Sequence, residues 1–447
     1  MTSAEAVSQP RINVIPWAVI DEEVSVKVSG LPPLQPVTIV SRVVHKDSVY
    51  IGFGHFYSDP NGMIDLSTAV SYGGTYTGCE PMGIFSSAEV LVNKNRCPRL
   101  IVITVDEELP YELTAWPGHL GWDHFYAYGF YRNHVAWEDQ FLAQTTMTRS
   151  YLAPGVERIL VREPEKIRGT LFVPSGPGPF NVIIDTFGGI GNCVEMRAAL
   201  FAKHGYLSLA LGYYNFADLE VDRFSKIRFD YFEKAVDFML KHPKANPEGV
   251  AFVGTCLSSP AIIMATIRDQ RVKLAMCVNT ASFLNLDPKA ETLIPQEMDE
   301  IGQNWMVTST YRFDKGVLKL IRSEDVLPSI LSTGDGPLTH THEPKIIFLF
   351  SERDTGVPHI EFAQKVWNHF QKYGKERQIE RYVVPNQGHL LEPCYMPMSR
   401  FTTVDRKIPA VIDYGGYHNR HPQSQKLAWL KTLQLLQQNL PKLKGKL

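Results

Sequence analysis

The sequence predicts two domains, an all-β sandwich over residues 1–152 and an α/β unit with a mostly parallel sheet over residues 153–447. Three observations predict this. The 447-residue chain exceeds what one ordinary hydrophobic core supports. Up to about residue 150, short apolar/polar alternations are separated by turn residues, the pattern of a sandwich. Beyond it, short buried strands alternate with amphipathic helices, which implies a sheet covered on both faces.

The elements follow in order. Val24-Ser-Val-Lys-Val alternates as a half-buried strand should, Gly30-Leu-Pro-Pro interrupts it, and Val37 to Val44 resumes it. Asp59-Pro-Asn-Gly62 is a turn. In the second unit Asn181 to Asp185 is a buried strand, followed by the glycine-rich turn Gly188-Gly-Ile-Gly-Asn. Glu195 to His204 is a helix that stops at Gly205, and Tyr206 to Leu211 is the next strand. Phe224 to Lys241 is helical, as are residues 259–268 and 360–373. Val250–Val253, Leu274–Val278, Ile346–Phe350 and Ile379–Val384 are strands. Residues 282–342 lack the alternation and read as an insertion above the sheet's C-terminal edge. Gln423 to Leu440 is a closing helix expected to bury Leu427, Leu430, Leu433, Leu436 and Leu440 on one side.

Composition excludes several function classes. With 45 basic and 47 acidic residues the net charge is −2, so no nucleic-acid partner is implied. No apolar run reaches membrane-spanning length, and the N-terminus lacks the basic and apolar regions of a secretory signal. The six cysteines form no CxxC pair and no metal-ligand spacing, so reduced thiols, an intracellular location and no metal are expected. No cofactor is expected: Gly188, Gly189 and Gly191 do not follow G-x-G-x-x-G, and no Walker lysine follows them. The terminal Gly445-Lys446-Leu447 resembles the peroxisomal Ser-Lys-Leu address, its Gly departing from the usual residue. No heptad or symmetric pattern sets an oligomeric state.

The chemistry is concentrated at Gly254-Thr255-Cys256-Leu257-Ser258, directly after the apolar run Val250-Ala-Phe-Val. A strand, a small-residue turn around a nucleophile and then a helix make a nucleophile elbow, usually G-x-S-x-G. Here sulfur replaces oxygen, and Ser258 stands in the last glycine's place. A buried, inert Cys is the alternative. The α/β-hydrolase arrangement requires nucleophile, acid and His in that chain order. Asp354 follows the strand at 346–350, and His389, in Asn386-Gln-Gly-His, follows the strand at 379–384. Glu352 competes with Asp354 for the acid role, and Gly388 is read as the residue that lets the chain bend. His389 would take the proton from Cys256, and Asp354 would orient the imidazole. Leu257 N–H, with a donor from the Phe187–Ile190 turn (Gly188 or Gly189), would form an oxyanion hole.

Nearly the whole chain resembles the acyl-CoA thioesterase and bile acid-CoA:amino acid N-acyltransferase family. The resemblance lies in Gly30-Leu-Pro-Pro-Leu-Gln-Pro-Val-Thr, Gly78-Cys-Glu-Pro-Met-Gly, Arg168-Gly-Thr-Leu-Phe-Val-Pro and Gly176-Pro-Gly-Pro-Phe. It is most specific in Ile184-Asp-Thr-Phe-Gly-Gly, Glu195-Met-Arg-Ala-Ala-Leu, Tyr213-Tyr-Asn-Phe-Ala-Asp-Leu and Gly388-His-Leu-Leu-Glu-Pro-Cys-Tyr-Met-Pro. It implies an immunoglobulin-like sandwich packed on an α/β-hydrolase domain, an acyl-CoA substrate and the triad Cys256, Asp354 and His389. The chain departs from the family's Lys-Gly after the nucleophile, carrying Leu257-Ser258 with Pro260 close behind. The acyl group could pass to water, giving free acid, or to glycine or taurine. An amino-acid acceptor would need a cation for its acid group, and Arg353 and Arg400 lie near the site loops. The rival readings are a cysteine hydrolase of a non-CoA ester or lactone, and a non-catalytic scaffold.

Overall fold

The computed structural model describes residues 9–46, 48–92, 100–131, 140–162, 164–189, 191–280, 287, 289–294, 311–314, 317–320, 336–357, 359–397, 400–403, 411–417 and 420–441.

The first part forms two sheets around one core. Six strands lie in the spatial order Trp17–Val19, Ala143–Ser150, Leu109–Pro117, Pro36–His45, Ser48–Tyr57, Glu89–Val92. Arg11–Asn13, Lys27–Ser29 and Ile64–Asp65 form a smaller sheet. Ile12, Val28 and Ile64 of the small sheet share a core with Val37, Ile39 and Leu113 of the large one. The Val24–Val28 alternation is realised in burial, since the three valines are buried and Ser25 and Lys27 exposed, although regular pairing begins only at Lys27. At the Asp59 turn, Gly62 N–H donates to Asp59 O (2.9 Å) and Gly62 has φ +73°.

The second part is built on an eight-stranded sheet: Glu157–Val161 (β1), Arg168–Val173 (β2), Phe180–Thr186 (β3), Leu207–Gly212 (β4), Ala245–Thr255 (β5), Val272–Val278 (β6), Lys345–Ser351 (β7) and Ile379–Val384 (β8). The spatial order is β1-β2-β4-β3-β5-β6-β7-β8. β2 is antiparallel to both neighbours, and all pairs from β4 to β8 are parallel. β1 and β2 were not among the predicted strands. The chain leaves β3 towards one edge and β5 towards the other, so the order switches between these two strands. Ligands of open α/β sheets bind outside the strands' carboxyl ends at such a point.

Alternate side chains serve opposite faces. Ile183, Val253 and Met276 pack with Met196–Lys203 (α1) and with Trp429, Leu435 and Leu436 of the last helix. Ile184, Phe252 and Ala275 pack with Phe229–Leu240 (α2), Ser258–Arg268 (α3) and His359–Lys372 (α4). The closing helix, His421–Asn439 (α5), corrects one expectation. Leu427 and Leu430 are exposed, and the buried stripe runs through Gln425, Ala428, Trp429, Thr432, Leu435 and Leu436. A helix advances about 100° per residue, so Leu427 and Leu436 point in opposite directions. Most of the expected insertion at 282–342 lies outside the described residues, as do Ile190 and the terminal tripeptide 445–447. Its described strands Tyr311–Asp314 and Val317–Leu320 join Val411–Asp413 and Phe401–Thr403 in a four-stranded sheet.

The sandwich is pinned to the second sheet's helices at one buried carboxylate. Asp21 accepts from Lys203 Nζ (2.6 Å), His204 Nε2 (2.7 Å) and Trp429 Nε1 (3.0 Å). Burial alone would raise its pKa, but the bonds from His204 and Lys203 outweigh this and lower it to about 2. That stabilisation is present above the ordinary aspartate value and is lost as pH falls towards 2. Asp21→Asn is therefore expected to cost about 1–3 kcal/mol at neutral pH. The deficit should shrink on acidification, measured by denaturant unfolding at neutral and acidic pH.

Candidate active site

β5 ends at Thr255 and α3 starts at Ser258, so the chain reverses within two residues. Cys256 sits in that reversal with φ +54°, a conformation unfavourable for L-residues. It is held there because its N–H donates to Val278 O (2.9 Å) and its carbonyl accepts from Ser259 N–H (3.1 Å). Gly254 is required by close approach: a Cβ there would lie 2.7 Å from Ile262 Cδ1 and 2.9 Å from Ser258 Oγ. Ser258 is buried, and its Oγ accepts from Thr255 N–H (2.9 Å) and donates to Thr255 O (3.0 Å) or Thr186 O (3.2 Å). The hydroxyl thus ties the elbow together from the position where the motif usually has glycine. Pro260 lies in the first turn of α3, where a backbone N–H has no intrahelical partner to lose.

β7 and β8 deliver the other two groups. Asp354, fully buried beyond β7, accepts from His389 Nδ1 through Oδ2 (2.8 Å). Its Oδ1 accepts from the N–H groups of Gly356 (2.6 Å) and Val357 (3.2 Å), which fix the carboxylate's plane. Glu352 instead accepts from Asn386 N–H (2.9 Å) at the start of the histidine loop. With Nδ1 committed to Asp354, the other ring nitrogen of His389 is left for Cys256. Burial by itself would lower the imidazole pKa. Asp354 and Cys256 overcome it and raise the pKa to about 10, so the cationic ring is strongly favoured.

Gly388 serves close approach rather than an unusual dihedral. A side chain there would run into the carbonyl oxygens of Tyr414 and Gly415, and the left-handed residue of the loop is Asn386 (φ +61°). His389 N–H donates to Tyr414 O (2.8 Å), and the two rings lie 4.8 Å apart.

On the opposite side of Cys256, the turn after β3 brings Gly188 and Gly189 to the elbow. A Cβ on Gly188 would lie 3.7 Å from Cys256 Cβ, and one on Gly189 would lie 3.2 Å from Leu257 Cδ2. The predicted site residues Cys256, Leu257, Asp354, His389, Gly188 and Gly189 therefore converge at the switch point. Arg353 and Arg400 are engaged elsewhere: Arg400 makes two 3.0 Å bonds to Asp413, and Arg353 lies over the Tyr417 ring at 4.9 Å.

Sequence reasoning missed several supporting residues. Asn279, buried just past β6, donates to Ser351 Oγ (2.8 Å) and His389 O (2.7 Å) and accepts from Ser351 N–H (2.8 Å). It clamps the acid and histidine loops together. His359 is buried against Asp354, with Nδ1 3.3 Å from Oδ2 and 3.0 Å from Val357 O. An asparagine just past a strand at the sheet's carboxyl edge was the available signal for Asn279. His359 at the start of a helix carried none.

Two family models match the chain. "Acyl-CoA thioester hydrolase/BAAT N-terminal region" matches residues 21–163, and "BAAT / Acyl-CoA thioester hydrolase C terminal" matches residues 227–442. The mouse bile acid-CoA:amino acid N-acyltransferase is 30% identical over 425 residues, covering 95% of this chain and 96% of that protein. The chain belongs to the acyl-CoA thioester hydrolase/bile acid-CoA:amino acid N-acyltransferase family. The mouse peroxisomal succinyl-coenzyme A thioesterase is 31% identical over 420 residues (92% of each chain). Human acyl-coenzyme A thioesterase 6 is 30% identical over 428 residues, 92% of this chain and 91% of that one. A putative dienelactone hydrolase from Klebsiella pneumoniae superposes with a TM-score of 0.38 at 12% identity, over 63% of this chain and 98% of that one.

The structure gives physical content to the family motifs of this chain. Arg197, from Glu195-Met-Arg, bonds Asp185, from Ile184-Asp-Thr, at 2.6 Å in a buried pair, and its Nη1 donates to Thr255 Oγ1 (2.6 Å) beside the nucleophile. Glu195 accepts from Arg158 (2.8 Å twice), Thr170 Oγ1 (2.6 Å) and Val105 N–H (3.0 Å), joining sandwich and sheet. The family's histidine loop continues to Tyr395, whose hydroxyl donates to Glu23 (3.2 Å) in the sandwich.

Proposed function

We propose that this protein cleaves acyl-CoA thioesters through Cys256, His389 and Asp354, and that the acyl group passes to water or to the amine of glycine or taurine. The observation that carries this reading is the buried Asp354–His389 hydrogen bond at the sheet edge that also carries Cys256, beside two glycines at the switch point of the sheet. Family membership supports the substrate class.

In the first half-reaction the Cys256 sulfur attacks the thioester carbonyl. A new carbon–sulfur bond forms, the bond to CoA breaks, and CoA leaves with a proton from His389. The oxyanion lies against the N–H groups of Leu257 and of Gly188 or Gly189. Acylation ends the pull of Cys256 on the imidazole, whose pKa falls, so the neutral ring that can accept a proton is populated. It then deprotonates the acceptor, which attacks the acyl-enzyme and regenerates the thiol. Asp354 holds the ring in one tautomer throughout. A thioester is more open to amines than an oxygen ester is, which supports an amine acceptor beside water.

We assign the chemistry to residues 153–447 and read residues 1–152 as an immunoglobulin-like domain that braces the histidine loop. No bound cofactor or metal enters the mechanism. A cytoplasmic or peroxisomal location is part of the proposal. One relative named above is peroxisomal.

The test is mass spectrometry of products from acyl-CoAs of several chain lengths, with and without glycine or taurine, beside Cys256→Ala. Free acid in both conditions identifies a thioesterase, and an N-acyl amino acid identifies an acyltransferase. Absence of any Cys256-dependent product from every acyl-CoA rules the reading out.

A further inference from the structure

Tyr213 is the first residue beyond β4, next to β3, and it is buried. Its hydroxyl donates to Gly188 O (2.6 Å) and lies 3.3 Å from Phe187 O. Its ring packs against Phe232 (centroids 5.8 Å apart), so the phenol is anchored on an element that carries none of the reacting groups. Resting on the thioester-cleavage reading, we infer that Tyr213 is a positioning residue, which sets the direction of the Gly188–Gly189 peptide so that the turn presents N–H groups rather than carbonyls to the acyl oxygen.

A trans peptide holds its C=O and N–H antiparallel. Two successive carbonyls turned to one phenol leave the N–H groups of Gly188 and Gly189 facing away from it. Beyond Phe187 the turn runs through the adjacent Gly188 and Gly189, which have no side chain to hold their shared peptide, and Gly191 follows with φ +72°. Glycine peptides rotate more freely than others. A rotated Gly188–Gly189 peptide would place a carbonyl dipole where negative charge develops, which repels the transition state instead of stabilising it. The phenol bond is what opposes that rotation. The hydroxyl's proton is committed to Gly188 O and so is not offered to the substrate oxygen.

The test is Tyr213→Phe, which keeps the ring and removes only the hydroxyl. Two reactions of Cys256 are compared in the full-length protein. Acylation by acetyl-, octanoyl- and palmitoyl-CoA is followed in single turnovers by intact-protein mass after acid quench. Alkylation by iodoacetamide, which forms no oxyanion, is followed in parallel. Acylation is expected to slow by about 10- to 100-fold, up to the lower end of what deleting an oxyanion donor costs. Alkylation should change less than about twofold, and KM should move far less than kcat. Unchanged acylation would overturn the inference. So would an equal fall in both rates, which would mean that the phenol acts on the thiol or on folding. If wild-type protein is alkylated at Cys256 but acylated there by none of the three donors, the nucleophile assignment fails and this inference falls with it.

Discussion

Cys256→Ala is expected to lower acyl-CoA cleavage by on the order of 10⁴-fold or more, because covalent catalysis has no substitute in this site. The neighbouring hydroxyls are committed elsewhere. Ser258 Oγ is bonded within the elbow, and Ser259 Oγ donates to Gly254 O (3.3 Å). Neither can turn to the carbonyl without breaking a buried bond. His389→Ala should cost a comparable amount, and the double variant little more than either single one, since the two groups act as a unit. Alanine retains the Cβ of Cys256, so the protein should stay folded. Single-turnover CoA release measures the effect, and retention of activity within tenfold of wild type would exclude a cysteine nucleophile.

Arg197→Met is expected to cost about 3–5 kcal/mol of stability, the usual consequence of stranding one member of a buried ion pair. The partner left behind is Asp185, about 2% exposed. Burial already pushes the Asp185 pKa up to about 6 against the opposing pull of Arg197. Removing Arg197 raises it further. An acid whose folded pKa is raised contributes stability that is present below its unfolded value and lost as pH rises through the folded one. The deficit of Arg197→Met should therefore grow from mildly acidic to mildly alkaline pH, read by denaturant unfolding. Adding Asp185→Leu should recover a large part of the loss, because an apolar pair avoids the cost of the stranded charge. A deficit independent of pH would mean that Arg197 acts by packing alone.

The site was legible in the sequence to the extent that its parts sit at strand ends. Cys256, Asp354 and His389 each follow an apolar run, and chain order assigned their roles. The glycines opposite the elbow were legible as a turn. Asn279 and Tyr213 were not, because strand order alone brings Ser351 and His389 to the one and Gly188 to the other, and no sequence pattern marked His359 beside Asp354 or the Asp185–Arg197 pair between β3 and α1. Gly388 illustrates the same limit: its need for hydrogen in place of a Cβ comes from Tyr414 and Gly415, which local sequence does not place beside it. In the fold, the parallel core strands were found as short apolar runs, buried on both faces. The antiparallel β1 and β2 were missed, and leucine spacing in α5 misled because three-residue steps drift around a helix axis.

The segment that carries His389 at one end ends in Cys394 and Tyr395, which touch residues 21 and 23 of the sandwich. The same stretch of chain thus holds the candidate site histidine at its start and a mechanical joint at its finish. A substitution on the sandwich side of that joint can alter turnover without approaching the substrate. Replacing the sandwich of this chain by that of a relative should therefore disturb the histidine loop unless the Cys394–Tyr395 end travels with it.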